Sequence, residues 1–378
     1  MTGGRMAVVT TAHAWGDGRV FQRELASCLE WGVETHVFMP LAELPARLGW
    51  SDSARLTLHP LAVPRSRPGR FWLALGVWIE LLRLGPWRLV QFHDPELIPA
   101  MALFAVLCPG TYTLYDIHED LPLQMESKGY LAPWLRQPAA RMASLLLRLA
   151  RGLFSGFAPA TEAIARAWPA AQSRVLHNYP KALFSLAGRA PDPCRVLYVG
   201  GLARNRGTLA ALDAVRAARM QLPLRLELVG WVMEPEVGTA IRAAVAEGWC
   251  RHIPWLEPEA LAEHAAGAGI GLVPLLPRPN YLESLPTKLF EYMALGIPVL
   301  ASDFPLWREL VVTSGAGRVA APQAGPLAEA LLGMSRDPQG LAAHGERGRA
   351  AYGQRYRWEV EQRHLRWHLQ QAGLLEEA

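Results

Sequence analysis

The sequence is poor in the residues that staple a fold or bind metal. Its four cysteines, Cys28, Cys108, Cys194 and Cys250, are scattered and form no CxxC pair. That argues against a disulfide framework or a zinc site and suits a reducing, cytoplasmic compartment. There is no Asp-x-Asp pair and no HExxH, so no tightly bound metal and no cofactor is expected. A Walker lysine and a complete GxGxxG are also missing, which disfavours a P-loop ATPase and a dehydrogenase. No aromatic RNA-binding motif, Cys/His finger or long basic tail occurs, so nucleic acid is not an expected partner. The opening "MTGGRMAVVTTAH" has too short an apolar run for a signal peptide. The uncharged stretch from Leu97 to Tyr115 is divided by Pro109-Gly110 into a short helix and a strand, each too short to span a bilayer. No repeat of solenoid period is visible.

What is present is a chain of 378 residues, 51% hydrophobic and 19% charged, enough for two domains with real cores. The formal net charge of +4 and the pI near 9.0 suit anionic partners: nucleotides, phosphates or lipid head groups.

Short β-rich runs alternate with helical patterns. "MAVVTTA", "ETHVFM", "RLTLHPL", "RLVQFH" and "TYTLYDI" read as strands, and "RVFQRELASCLEWG" as an amphipathic helix closed by Gly32. "PKALFSLAGRAPDP", residues 180–193, loses periodicity and reads as a linker. The rhythm then restarts with strands "CRVLYVGG", "LRLELVG", "GIGLVPLL" and "IPVLAS", the helix "TLAALDAVRAARMQ" and a helical tail. The alternation predicts an α/β protein with two Rossmann-like, doubly wound parallel-sheet domains facing a central cleft. The expected division is 1–180, 194–355, and a terminal helix over 356–378 that crosses back to the first domain. Ligands of such sheets lie beyond the carboxyl ends of the strands.

Chemistry-bearing residues gather at those ends. In "NYLESLPTKLFEYMALGIPVLASD", Lys288 falls in the first turn of a helix that Gly296 and Pro298 terminate. A cation is disfavoured there unless an anion is bound, because the helix start itself attracts negative charge. The alternative is a solvated i,i+3 pair with Glu291. "YVGGLARNRGT" is a second basic strand-to-helix loop, with Gly200, Gly201, Arg204 and Arg206. Two such loops in one domain suggest a diphosphate ligand. In the first half, "TTAHAWGDGRVFQRE" carries His13, Gly16, Asp17, Gly18 and Arg19. "QFHDPEL" carries His93 and Asp94, and "LYDIHEDLP" carries Asp116, His118, Glu119 and Asp120. Each histidine alone reads more simply as a packed residue, and Asp94 before Pro95 as a helix cap. Three polar clusters at three parallel strand ends favour a site. Two further segments mix arginine with aromatics: one has Arg65, Arg67, Arg70, Phe71, Trp72 and Trp78, the other Arg136, Arg141, Arg148 and Arg151. Such helices either cover the sheet or dock on anionic lipid.

At these residues the sequence resembles glycosyltransferase family 4, retaining nucleotide-sugar enzymes of the GT-B fold. Glu283 and Glu291 match that family's E-x7-E signature, and "LPTKLFEYMALGIPVLAS" its surroundings. "DGRVFQRELASCLEWGVETHV", "FHDPEL", "YDIHED", "VLHNYP", "YVGGLARNRG" and "YRWE" extend the likeness along nearly the whole chain, in the manner of enzymes building bacterial surface polysaccharide and lipopolysaccharide. The resemblance implies a hexosyltransferase-type activity on a nucleoside-diphosphate sugar, with a glycan or lipid-linked acceptor and a cytoplasmic enzyme peripheral to the inner face of the membrane. It implies that Glu291 holds the nucleotide ribose and that Glu283 with Ser284, Leu285 and Pro286 holds the donor sugar. Arg206 and Lys288, helped by Gly200 and Gly201, would take the diphosphate, and His118 would lie near the transferred sugar. Gly16, Asp17, Gly18, His93 and Asp94 would face donor and acceptor. Base contacts would be largely backbone, near Pro254–Leu256. Many relatives have arginine where this chain has Gly201, and Arg204 is the expected substitute. Two alternatives are a sugar-nucleotide epimerase of similar shape and a catalytically degenerate nucleotide-sugar-binding protein.

Overall fold

The computed structural model describes residues 4–41, 54–64, 66–127, 132–181 and 190–377. The chain divides into two units: Met1–Asn178 with Glu361–Ala378, and Tyr179–Val360.

The first unit is built on six parallel strands: β1 (Arg5–Val9), β2 (Glu34–Pro40), β3 (Leu56–Leu61), β4 (Leu89–Phe92), β5 (Tyr112–Ile117) and β6 (Gly156–Pro159). Their order is β3-β2-β1-β4-β5-β6, with Met6 opposite Thr35 on one side and Leu89 on the other. The central strands are buried almost throughout, as strands covered on both faces are. The helices are α1 (Ala26–Glu30), α2 (Arg67–Leu84), α3 (Ile98–Leu107), α4 (Leu121–Ser127), α5 (Pro133–Arg151) and α6 (Glu162–Ala165).

The second unit repeats the plan with β7 (Asp192–Val199), β8 (Arg225–Val229), β9 (Cys250–Ile253), β10 (Ala268–Val273), β11 (Val299–Ser302) and β12 (Gly317–Ala320). The order β12-β11-β10-β7-β8-β9 is the same topology read from the opposite edge. In both sheets the strand order reverses beside the first strand, the place where doubly wound folds bind ligands. Helices α7 (Thr208–Ala218), α8 (Pro235–Ala246), α9 (Pro258–Ala265), α10 (Pro279–Leu282), α11 (Thr287–Leu295), α12 (Pro305–Thr313), α13 (Ala324–Ser335) and α14 (Pro338–Arg355) complete it. The last helix, α15 (Trp358–Gln371), runs into the first unit. There Glu361 accepts from the His177 amide at 2.9 Å, His368 pairs with the Tyr112 hydroxyl at 3.0 Å, and the Leu374 side chain reaches Gly4.

Four sequence expectations need correction. Strand β1 stops at Val9, because the Thr10 hydroxyl accepts from the amides of Ala12 and His13 and turns the chain. "RVFQRELASCLEWG" is not one regular amphipathic helix: Val20–Leu25 is π-helical, and only Ala26–Glu30 is α. The wider turn brings Arg23 and Glu24 inside, where Arg23 bonds Asn178 at 2.7 Å and Glu24 meets Gln91 at 2.5 Å. "PRPNYLES" contains the short helix α10 rather than being all loop. The linker ends before Asp192, which already belongs to β7, and its residues 182–189 lie outside the described residues, as does Arg65.

Candidate functional site

In the second unit, β7 ends at Val199 and the chain turns through Gly200, whose φ of +112° suits only glycine. A Cβ there would lie 3.2 Å from the Nζ of Lys288, so the backbone passes directly over that ammonium. Lys288 is in the first turn of α11, which starts after Pro286. Its side chain is 9% exposed, not solvated, and Nζ has no hydrogen-bond partner. Nζ lies 4.2 Å from the centre of the Tyr198 ring, a cation–π contact that only partly replaces lost hydration. Burial, with Arg206 nearby, pushes its pKa down to about 7 against the pull of Glu291. The solvated-pair reading of Lys288 is therefore incorrect: this is a desolvated cation beside free helix N–H groups.

Arg206 comes from the loop between β7 and α7. Its guanidinium reaches within 3.0 Å of where a Gly201 Cβ would be. Arg206, five residues on, thus fills the space beside Gly201. Arg204 is exposed and forms an ion pair with Glu236 at the start of α8. The basic loop and the acidic loop are tied together. Asn205 donates to the Tyr281 hydroxyl at 3.1 Å, and its carbonyl accepts from Leu276. The Ser284 carbonyl accepts from Trp307 at 2.7 Å, which fixes the segment from Glu283 to Pro286 ahead of α11. Glu283 is exposed and Glu291 half-buried. The structure thus gathers Gly200, Gly201, Arg206, Ser284, Leu285, Pro286, Lys288 and Glu291 around two joined strand-end loops, with Arg204 turned to Glu236.

Sequence reasoning did not name Trp231, and it included Trp255 only as part of the backbone stretch Pro254–Leu256. They follow β8 and β9, are more than half exposed, and stack at 4.6 Å and 16°. The signal was an aromatic directly beyond each strand end.

In the first unit the three expected clusters do converge. Asp116, fully buried at the end of β5, accepts from Arg19 Nε at 3.1 Å, meets His93 Nδ1 at 2.8 Å and His118 Nε2 at 2.7 Å. Burial alone would raise its pKa, but Arg19 and His118 overcome this and hold the carboxyl well below its usual range. Arg19 also pairs with Glu24 at 3.0 Å, and burial together with Asp116 pushes Glu24 well up. Burial lowers the pKa of His93 despite Asp116, so the ring is neutral. Its Nδ1–H then donates to Asp116, leaving Nε2 a bare acceptor, buried and unpartnered. His13 is raised: burial opposes its charge, but the bond to Asp17 at 3.1 Å and the negative charges of Asp94, Asp17 and Asp116 together outweigh it. Asp94 does not cap a helix with its side chain. It accepts from the Thr10 hydroxyl at 2.7 Å and the Thr11 amide at 2.6 Å, joining the ends of β1 and β4. Gly16 has φ +88°, and Gly18 packs against the Arg23 guanidinium.

His93, Asp116 and His118 lie close enough to hold a metal. The fit is poor, because the Asp116 oxygen facing both rings already accepts from Arg19, whose charge repels a cation. Beside the cluster is a cavity of about 510 Å³ lined by His13, His93 and His118, by the carboxylates of Asp94, Glu96 and Glu119, and by apolar residues that include Phe71, Leu121 and Met142.

Residues 193–337 match the family described as Glycosyl transferases group 1. The amylovoran biosynthesis glycosyltransferase AmsK of Erwinia amylovora is 28% identical over 149 residues, 38% of this chain and only 37% of that protein. Among solved structures, sucrose-phosphate synthase from Thermosynechococcus elongatus superposes with a TM-score of 0.75 at 19% identity, covering 97% of this chain and 98% of that one. HepE of Anabaena in complex with UDP-glucose gives 0.70 at 15% identity, covering 98% and 100%. The chain therefore has the two-domain α/β GT-B fold, and its second unit carries a segment similar to the group 1 glycosyltransferase domain.

Proposed function

We propose that the protein is a retaining glycosyltransferase of family 4. It would move a sugar from a nucleoside-diphosphate donor to a glycan or lipid-linked acceptor in cell-surface polysaccharide assembly. The observation that carries this reading is Lys288: a buried ammonium without a partner, next to Arg206, at the start of a helix. A desolvated, unpaired cation is costly, and a bound diphosphate removes the cost. HepE is solved with UDP and with UDP-glucose, and AmsK is a glycosyltransferase of amylovoran biosynthesis; both support the substrate class.

In this reading Glu291 takes the ribose hydroxyls, and Glu283 with the backbone of Ser284–Pro286 takes the donor sugar. The bond from the anomeric carbon to the diphosphate breaks while the acceptor oxygen bonds on the same face. The acceptor proton passes to the departing phosphate oxygen, so no strong protein base is required. Charge growing on the diphosphate is met by Lys288, Arg206 and the N–H groups of α11, without a bound metal. His118 lies near the transferred sugar, and the bare Nε2 of His93 accepts from an acceptor hydroxyl.

The test is a thermal-shift screen of UDP, GDP, ADP and their sugars. The matching nucleotide stabilises the fold by about 2.7 kcal/mol at a hundredfold excess over Kd. If no nucleotide raises the melting temperature, the reading fails. Product NMR then separates transfer with retained configuration from epimerisation of the donor.

A further inference from the structure

The cavity beside the histidine cluster holds about 510 Å³, within the roughly 300–1,000 Å³ of small-molecule sites. Every described residue that lines it belongs to the first unit. Its polar groups are mostly acceptors. The carboxylates of Asp94, Glu96 and Glu119 only accept when ionised. His93 is neutral and gives its Nδ1–H to Asp116 at 2.8 Å, so its buried Nε2 has a lone pair and no partner. A ligand that satisfies this lining must therefore donate hydrogen bonds, through hydroxyls or an ammonium.

The charges of the wall are already matched within the protein. Arg70 is the one arginine or lysine among the described lining residues, and it approaches Glu96 at 3.5 Å. Glu96 also accepts from the Thr11 hydroxyl at 3.0 Å. His13 lies between Asp17 at 3.1 Å and Asp94 at 3.7 Å. An entering phosphate or carboxylate would find no uncommitted cation and would face three carboxylates, a juxtaposition of like charge that lowers affinity. An ammonium would gain little at Asp94 and Glu96, which already have cations beside them. Hydroxyls meet both conditions. The remaining wall, with Phe71, Leu121, Met125 and Met142, is apolar and suits the C–H faces of a sugar ring.

We propose that this cavity binds an uncharged sugar and discriminates against phosphorylated and carboxylated ones. The sugar gives its hydroxyls to His93 and to the carboxylates and rests its C–H faces on the apolar wall. That the bound sugar is the acceptor of transfer rests on the proposed function; the charge selectivity does not. In that role, the reaction that supplies the acceptor must expose an uncharged sugar at its end.

The experiment is a saturation-transfer NMR titration of the full chain. Its ligands are the methyl glycosides of glucose, galactose, mannose and N-acetylglucosamine, the 6-phosphates of the same sugars, glucuronic acid and glucosamine. At least one methyl glycoside is expected to bind, and its 6-phosphate to bind about tenfold or more weakly. Glu119→Lys places a new cation at an exposed position of the wall and should reduce that ratio about tenfold. Leu121→Trp and, at the more exposed rim, Met142→Trp narrow the cavity and should weaken every sugar while leaving the nucleotide thermal shift intact. Four results overturn the proposal: a phosphosugar or glucuronic acid that binds as tightly as the neutral sugar, glucosamine that binds more than about tenfold tighter than any neutral glycoside, no methyl glycoside binding at all, or unchanged sugar binding in both narrowed and folded variants. A nucleotide shift without the sugar selectivity leaves the transfer reading standing. The selectivity without a nucleotide shift overturns that reading alone.

Discussion

Two buried cations, one in each unit, meet opposite fates. Arg19 is enclosed in the first unit with Asp116 and Glu24 as partners, and these raise its pKa in spite of burial. Lys288 is enclosed in the second unit against an aromatic face, with no hydrogen-bond partner for Nζ, and burial and Arg206 lower its pKa to about 7 in spite of Glu291. A buried charge that is fully paired belongs to the architecture. A buried charge left unpaired marks a place prepared for something not encoded in the chain.

The sharpest way to break this contrast is to remove one charged group from each site. Asp116→Ala strands Arg19 and should destabilise the first unit by about 3–5 kcal/mol, read from urea unfolding. Lys288→Met should leave unfolding unchanged or slightly harder, because a desolvated amine is replaced by an apolar chain of similar length. The same variant should weaken binding of the nucleoside diphosphate that stabilises the fold in the thermal-shift screen by about 2–3 kcal/mol, measured by calorimetry. If Lys288→Met destabilises as much as Asp116→Ala, the distinction between the two cations is void.

A subtler effect follows from protonation. Lys288 titrates near 7 when empty, against an ordinary 10.5. Its depressed folded pKa costs stability below 7, and stability recovers as pH rises from 7 to 10.5. A diphosphate restores the charge. Nucleotide binding at pH 8 should therefore take up most of one proton, detectable by calorimetry in buffers of different ionisation enthalpy, and almost none at pH 6.

The smallest expected effect concerns Glu361, which resembles Lys288 in having a depressed pKa but with the opposite meaning. Burial would raise it, yet the bond to His177 and its neighbours hold it at about 2, against an ordinary 4.5. Here the charged form is favoured, so its contribution is complete above 4.5 and is lost as pH falls toward 2. Glu361→Gln should cost about 1 kcal/mol at pH 7 and nothing near pH 2, seen in acid unfolding of the first unit.

Much of this could be read from the residues. Strands such as "MAVV" and "GIGLV" announce themselves because both faces are covered and the apolar run is unbroken, although the expected strand "GIGLVPLL" ends at Val273, before Pro274. The three strands that escaped notice, β6, β9 and β12, are four residues long and lie at sheet edges, where a single neighbour imposes little pattern. The strand-end loops were legible because glycines and basic residues stand out against apolar strands. The turning of Arg23 and Glu24 inward was not, since a π-turn shifts which residues share a face. Nor was the pairing of Arg204 with Glu236: an ion pair between loops far apart in sequence leaves no local trace. Arg206 beside Gly201 is likewise a fact of three dimensions, although both residues are visible in one short loop.

The path of the chain has a consequence for biosynthesis. Tyr179–Val360 is an unbroken stretch, whereas the first unit also needs Glu361–Ala378. As the protein emerges from the ribosome, the second unit can close while the first still lacks His368 for Tyr112 and Leu374 beside Gly4. The first unit is thus begun before the second and completed after it, when α15 packs against a sheet whose six strands have long been made.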